Sequence, residues 1–204
     1  MAEKFIYLAS QSPRRAELLR QAGVKFETLL LRDDPRGLEG VDESPLAGEL
    51  PLRYVQRVCR DKAAAAWESM QSRGLPVAPV LAADTTVTLD GQILGKPEDR
   101  NEAMRMLKML AGRQHEVLTA VAMKLGDREE GCVSHTTVTF TSLSDARIET
   151  YLASGEADDK AGAYGIQGLA GTFVSRIEGS YSGVVGLPLF ETTELLQLFG
   201  YDIP

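Results

Sequence analysis

Apolar residues recur along the chain in two periods, and the switches between them mark its elements. Residues 5–8, Phe-Ile-Tyr-Leu, form a short unbroken run of strand-forming type. Leu18, Leu19 and Ala22 then fall on one face of a helix that stops at Gly23, with Ser12 placed as N-cap and Pro13 in the first turn. Residues 24–31 read as a second strand. Residues 32–50 hold Pro35, Gly37, Gly40, Pro45 and Gly48 among acidic residues, a long loop for a compact domain. Pro51 opens a helix to about residue 73, whose buried stripe runs through Leu52, Val55, Val58, Cys59, Ala63, Ala66, Trp67 and Met70.

Residues 77–89 read as a strand that turns at Asp90-Gly91, a strong hairpin dipeptide, into residues 92–94. Asp99 caps the next helix, Glu102 completes a capping box and Gly112 ends it. Residues 115–125 and 132–143 alternate like paired strands, and Ser144 caps a short helix to about residue 154. A loop over 155–171, a hairpin across Gly179-Ser180 and a helix over 188–199 complete the chain. Helices and strands alternate throughout, so the class is α/β. Hairpins mixed with crossovers predict a mixed sheet flanked by helices.

Composition narrows the function classes. The 204 residues suit one domain spanning the whole chain. Lys and Arg number 22 against 29 Asp and Glu, a net charge of −7, which argues against a nucleic-acid partner needing a basic face. A small anion gripped by a few local cations remains compatible. Cys59 and Cys132 are far apart and lack metal spacing, so neither disulfides nor zinc are expected. His115 and His135 stand alone on alternating strands and read as structural. No window approaches the ~20 apolar residues of a membrane span, and the four-residue apolar run after residues 1–4 is too short for a secretory h-region, so no leader is expected. The expected compartment is the cytoplasm.

Chemistry gathers at three places. Ser10-Gln11-Ser12-Pro13-Arg14-Arg15 puts hydroxyls and two guanidinium groups at a strand-to-helix junction, where free N–H groups and the helix dipole favour an anion. Asp84 sits inside the apolar strand 82–87, where a charge is costly unless paired, metal-bound or facing a cleft. The hairpin after it returns to Gly95-Lys96-Pro97, which can bring an ammonium back toward Asp84. The stretch 160–168, Lys-Ala-Gly-Ala-Tyr-Gly-Ile-Gln-Gly, offers glycines for close backbone approach and the Gln167 amide. Lys62 and Glu43 carry little signal in isolation. The stretch from Gly91 to Lys96 falls one residue short of a Walker loop, with Pro97 where Ser or Thr would hold magnesium.

In this order, the junction at residues 8–15, Ala83-Asp84-Thr85, Gly95-Lys96-Pro97, residues 161–168, Gly179-Ser180-Tyr181 and Val185-Gly186-Leu187-Pro188 resemble the Maf family nearly end to end. These are nucleoside triphosphate pyrophosphatases with an inosine triphosphatase-like fold, a strongly twisted sheet in two lobes around a central cleft. Thr85 and Gln167 are similar to the branch acting on dTTP and UTP. The resemblance implies hydrolysis to the monophosphate and pyrophosphate, with Asp84 as the catalytic acid-base residue. It implies nucleotide choice by Arg14, Thr85 and Gln167, and phosphate binding by Ser10, Arg15, Lys62 and Lys96. It also implies a divalent metal, Mg²⁺ or Mn²⁺, on Glu43 and Asp84. In the acidic loop Glu39, Asp42 and Glu49 compete with Glu43 for that place, and Val41-Asp42-Glu43 fits the family pattern best. A homodimer, house-cleaning of modified pyrimidine triphosphates and a part in cell division arrest follow from the resemblance alone. Two other readings stay open: a nucleotide sensor without turnover, and the same chemistry on a modified guanosine triphosphate.

Overall fold

The structure, a computed structural model, describes residues 4–31 and 41–201. Residues 32–40 of the expected acidic loop, Glu39 among them, lie outside the described residues. Strand β1 (Ile6–Ala9) buries all four side chains and leads into helix α1 (Pro13–Gln21). Ser12 occupies the N-cap but makes no side-chain cap bond; its backbone N–H instead donates to Ser10 Oγ at 3.1 Å. Strand β2 (Phe26–Thr28) is shorter than the predicted 24–31. The reason is local: the N–H of Val24 closes the helix end by donating to the Leu19 carbonyl at 3.0 Å, so it is spent before the strand begins.

Helix α2 (Pro51–Ser72) lays Val55, Val58, Ala63, Ala66 and Met70 against one face of the sheet. Strand β3 (Val80–Leu89) turns through Asp90 and Gly91, both at positive φ (51° and 77°), into β4 (Gln92–Leu94). This is the turn chemistry that the Asp-Gly pair predicts. Helix α3 (Arg100–Leu110) has Asp99 accepting from Glu102 N at 2.7 Å, while the Glu102 carboxylate reaches back to Glu98 N rather than to Asp99. Strands β5 (Gln114–Leu125) and β6 (Arg128–Phe140) pair along their whole lengths. Strand β6 therefore starts four residues before the predicted 132, because Leu125 pairs with Arg128 across a two-residue turn. Helix α4 (Asp145–Leu152) begins at a Ser144 cap.

Strand β7 (Val174–Glu178) does not continue into the expected hairpin at Gly179-Ser180. Ser180 instead caps helix α5 (Tyr181–Val185), its Oγ accepting from Gly183 N at 3.0 Å, and α6 (Leu189–Leu198) follows. A Ser three residues ahead of a free amide can start a helix as readily as a turn, and here it does.

Among the described residues seven strands form one sheet in the order β2-β1-β3-β5-β6-β7, with β4 on β3. Strand β1 runs parallel to β2 and β3, and the other pairs are antiparallel, so the sheet is mixed as expected. Its core divides along β3. Val80 and Ala82 pack under α2, and Leu81 and Ala83 pack with α1 and α6 on the opposite face. Val87 and Leu89 join a third cluster with α3, α4 and the aromatic rings of Phe140, Tyr164 and Phe173. Asp84, Thr85 and Thr86 fall between these clusters, at the floor of a cleft.

Candidate active site

The cleft has a volume of about 1510 Å³, and every site residue expected from the sequence lines it: Ser10, Arg14, Arg15, Glu43, Lys62, Asp84, Thr85, Lys96 and Gln167. Successive strand residues point to opposite faces, and this places the two central groups. Asp84 faces α2, where Lys62 Nζ meets its Oδ1 at 2.8 Å. Thr85 faces α1, where Arg15 Nη2 donates to its Oγ1 at 3.2 Å. The Asp84 side chain is only 8% exposed, so the ammonium supplies the partner that a carboxylate in an apolar strand needs.

Lys62 also lies 2.9 Å from Glu43 Oε1, so one ammonium holds two carboxylates. This distinguishes Glu43 from its described neighbours. Glu49 is gripped by Arg57 through two bonds of 2.8 Å, which with the Leu46 N–H pull its pKa down to about 2. Asp42 accepts from Ser44 N at 2.8 Å, and that bond lowers its pKa. Tyr54 Oη donates to the Glu43 carbonyl at 2.8 Å and fixes the segment from below. Burial, reinforced by Asp84 and Glu43, pushes the Tyr54 pKa up to about 12, so it remains a donor. Sequence reasoning missed Tyr54 and Arg57, since nothing in the sequence shows which loop their helix will hold.

Arg15 is the organiser of the other wall. Its Nε donates to the Gly186 carbonyl at 2.8 Å, and Nη1 lies 3.4 Å from Ser10 Oγ. Burial lowers its pKa and the Asp84 charge opposes that, but an arginine keeps its proton. Gly186 has φ 128°, a backbone conformation that side-chain-bearing residues rarely adopt, and it presents its carbonyl to Arg15 there. Thr119 donates to the Gly183 carbonyl at 2.8 Å and stands 3.1 Å from the Thr85 hydroxyl. The motif over 179–188 thus serves Arg15 and Thr85 from behind, a role invisible in its sequence.

The remaining groups stand at the rim. Arg14 Nη2 is 4.0 Å from Asp159 Oδ2 on the opposite lip. Lys96 is exposed, two residues beyond the Val87–Leu94 pair, and Lys62 rather than Lys96 is the ammonium that meets Asp84. Gln167 is exposed to the cleft between buried Ile166 and Gly168. Below that loop His115 Nε2 and Tyr164 Oη are 2.8 Å apart. Burial lowers the His115 pKa to about 4. His135 pairs with Glu116 on the surface.

Six cations among the described residues line this cleft in an acidic chain, Arg14, Arg15, Lys62, Lys96, Arg105 and Lys160, which suits a polyanionic ligand, and the buried carboxylate of Asp84 among them suits chemistry on it. Among the described residues no three His, Cys, Asp or Glu side chains gather as a metal cage. Glu43 and Asp84, converging on one cation, are a donor pair that magnesium-like ions accept when phosphate oxygens complete the shell. No described helix is long and apolar enough to cross a membrane.

Comparison with known proteins agrees with this geometry. A "dTTP/UTP pyrophosphatase" of Aromatoleum aromaticum is 53% identical over 199 residues, covering 97% of each chain. Proteins of the same name from Nitrosomonas europaea and Ralstonia nicotianae are 51% and 56% identical, covering 97% and 94% of this chain and 96% and 92% of their own. The Ham1 protein of Staphylococcus aureus shares the fold, with a TM-score of 0.51 at 14% identity over 96% of this chain and 97% of its own. Residues 5–199 match the Maf-like protein family, and the chain belongs to that family.

Proposed function

We infer that the protein is a nucleoside triphosphate pyrophosphatase that hydrolyses dTTP and UTP to the monophosphate and pyrophosphate. Its relatives at 50% identity and above carry that name. The observation that carries the chemistry is Asp84 on the cleft floor, tied through Lys62 to Glu43 in a cleft that Arg14, Arg15 and Lys96 also line. A protein that only bound a triphosphate would gain nothing from a buried carboxylate beside it.

In this reading Arg15, Lys62, Lys96 and the Ser10 hydroxyl hold the triphosphate and neutralise charge that builds up as it is cleaved. Positioning and charge neutralisation are most of what phosphoryl chemistry asks of a protein. A water molecule attacks the α-phosphorus, the α–β bridging bond breaks, pyrophosphate leaves, and Asp84 takes the water's proton. Glu43 and Asp84 would hold a divalent ion, Mg²⁺ or Mn²⁺, which supplies further neutralisation of the phosphates.

Arg14, Thr85 and Gln167 set nucleotide choice. The Gln167 amide offers a donor beside an acceptor, matching the O4 and N3–H edge that uracil and thymine share and cytosine reverses. The same reading places the enzyme in the cytoplasm, as a homodimer that removes unwanted pyrimidine triphosphates.

The test is pyrophosphate release from a panel of nucleoside triphosphates, with Mg²⁺, with Mn²⁺ and with chelator. Metal-dependent release from dTTP and UTP above CTP and the purine nucleotides is the expected outcome. Release from a modified guanosine triphosphate instead keeps the chemistry and discards the assignment of Gln167. Binding without release from any nucleotide overturns the enzyme in favour of a sensor.

A further inference from the structure

The loop between α4 and β7 folds back on itself, so that residues 156–160 lie against 165–169. Glu156 Oε2 accepts a hydrogen bond from Leu169 N at 2.9 Å. The same carboxylate covers Gly168 so closely that a Cβ there would stand 2.0 Å from Oε2 and 2.7 Å from Cδ. The stem of Lys160 covers Gly165 in the same manner, 2.7 Å from where its Cβ would be. Ile166 is sunk into the core and Gln167 faces the cleft. Gln167 therefore leaves the backbone from a short span pinned by charged side chains on both sides. The glycines at 165 and 168 are the room those side chains occupy.

We propose that Glu156 is a positioning residue for base selection. Its carboxylate ties the Leu169 amide and lies on the Gly168 peptide, which fixes the direction in which Gln167 projects toward a pyrimidine base. The proposal rests on the reading of Gln167 as the group that recognises the base. Glu156 acts through Gln167, so its loss should raise KM for the recognised bases and spare the chemical step.

The experiment measures kcat and KM for UTP, dTTP and CTP with Glu156→Ala, Glu156→Gln, Gly168→Ala, the double variant Glu156→Ala/Gly168→Ala, and Gln167→Ala. Glu156→Ala should lose about 10-fold in kcat/KM on UTP and dTTP through KM, with kcat held within about twofold and CTP little changed. Glu156→Gln keeps an acceptor oxygen and should stay within about threefold of the parent. Gly168 has φ −101°, outside the left-handed region that favours glycine, and the nearest obstacle to a methyl group is the Glu156 carboxylate, so Gly168→Ala should displace it and reproduce the Glu156→Ala defect. In the Glu156→Ala background the three atoms nearest to that methyl group are gone, and the two losses should not add. Additive losses overturn the proposal. So does unchanged base preference in Glu156→Ala, with or without a lower melting temperature, when Gln167→Ala abolishes that preference. If Gln167→Ala itself keeps the parent preference, the reading of Gln167 has failed and this proposal falls with it.

Discussion

The ammonium of Lys62 lies 2.8 Å from Oδ1 of Asp84, bringing together two residues 22 positions apart on α2 and β3. The same ammonium holds Glu43, whose segment is tied to α2 by Tyr54 and Arg57. Lys62→Met removes the cation from between two carboxylates and leaves them facing an incoming triphosphate. We expect pyrophosphate release to fall by roughly 10²-fold, the scale seen when one preorganised charge-stabilising group is removed. The measurement is kcat/KM on UTP beside a thermal melt. A folded variant with near-parental activity would separate Lys62 from the chemistry.

Asp84→Asn keeps the shape of the side chain and one acceptor toward Lys62, but it cannot take a proton. Turnover should drop by about 10²–10⁴-fold, the usual range for a lost general base. Nucleotide binding, read by calorimetry, should persist, since the cations that hold the phosphates are untouched. Loss of binding together with turnover would make Asp84 a binding group instead.

Arg15→Lys tests whether charge or fork geometry matters. The guanidinium spans Gly186, Ser10 and Thr85, which stand on three different segments. A lysine retains the charge and reaches one of them. Activity on UTP should fall by roughly 10-fold or more, because a point charge does not replace planar, multidentate contacts. Equal activity in the two proteins would show that charge alone suffices.

Part of this was legible in the sequence and part was not. Asp84 announced itself because an acid in an apolar strand needs a partner, and the Ser-Pro-Arg-Arg junction because its residues suit an anion. The α/β class, the mixed sheet and the Asp90-Gly91 turn follow from periodicity and turn chemistry. The partner of Asp84 did not. Lys62 sits on a helix face where lysines are commonly solvated, and only the packing of α2 over β3 turns it inward. Ser180 caps a helix where a hairpin is expected, because Gly-Ser serves turns and helix caps alike, and the choice is made by the Gly183 amide and by Thr136 on the strand behind it. Glu156 has a meaning only when Gly168 lies beneath it.

The pair His115 and Tyr164 yields a prediction about stability and pH. His115 is 2% exposed within the aromatic cluster beneath the Gln167 loop, and burial holds its pKa at about 4. In the unfolded chain the value returns to about 6.5. Between those two values the unfolded state binds more protons than the folded state, so stability rises with pH across that window. The contribution is fully present above pH 6.5 and is lost as pH falls toward 4. A shift of this size corresponds to about 3 kcal/mol. Urea unfolding of the parent should therefore show a lower midpoint at pH 4.5 than at pH 7, beyond the effect of the carboxylates. His115→Phe keeps an aromatic ring in place and gives up the bond to Tyr164, a cost that does not depend on pH in this range. It should be less stable than the parent at pH 7, and the gap should narrow as pH falls. A gap that stays constant from pH 7 to pH 4.5 would mean that His115 titrates alike in both states, which its burial among Phe140 and Tyr164 does not allow.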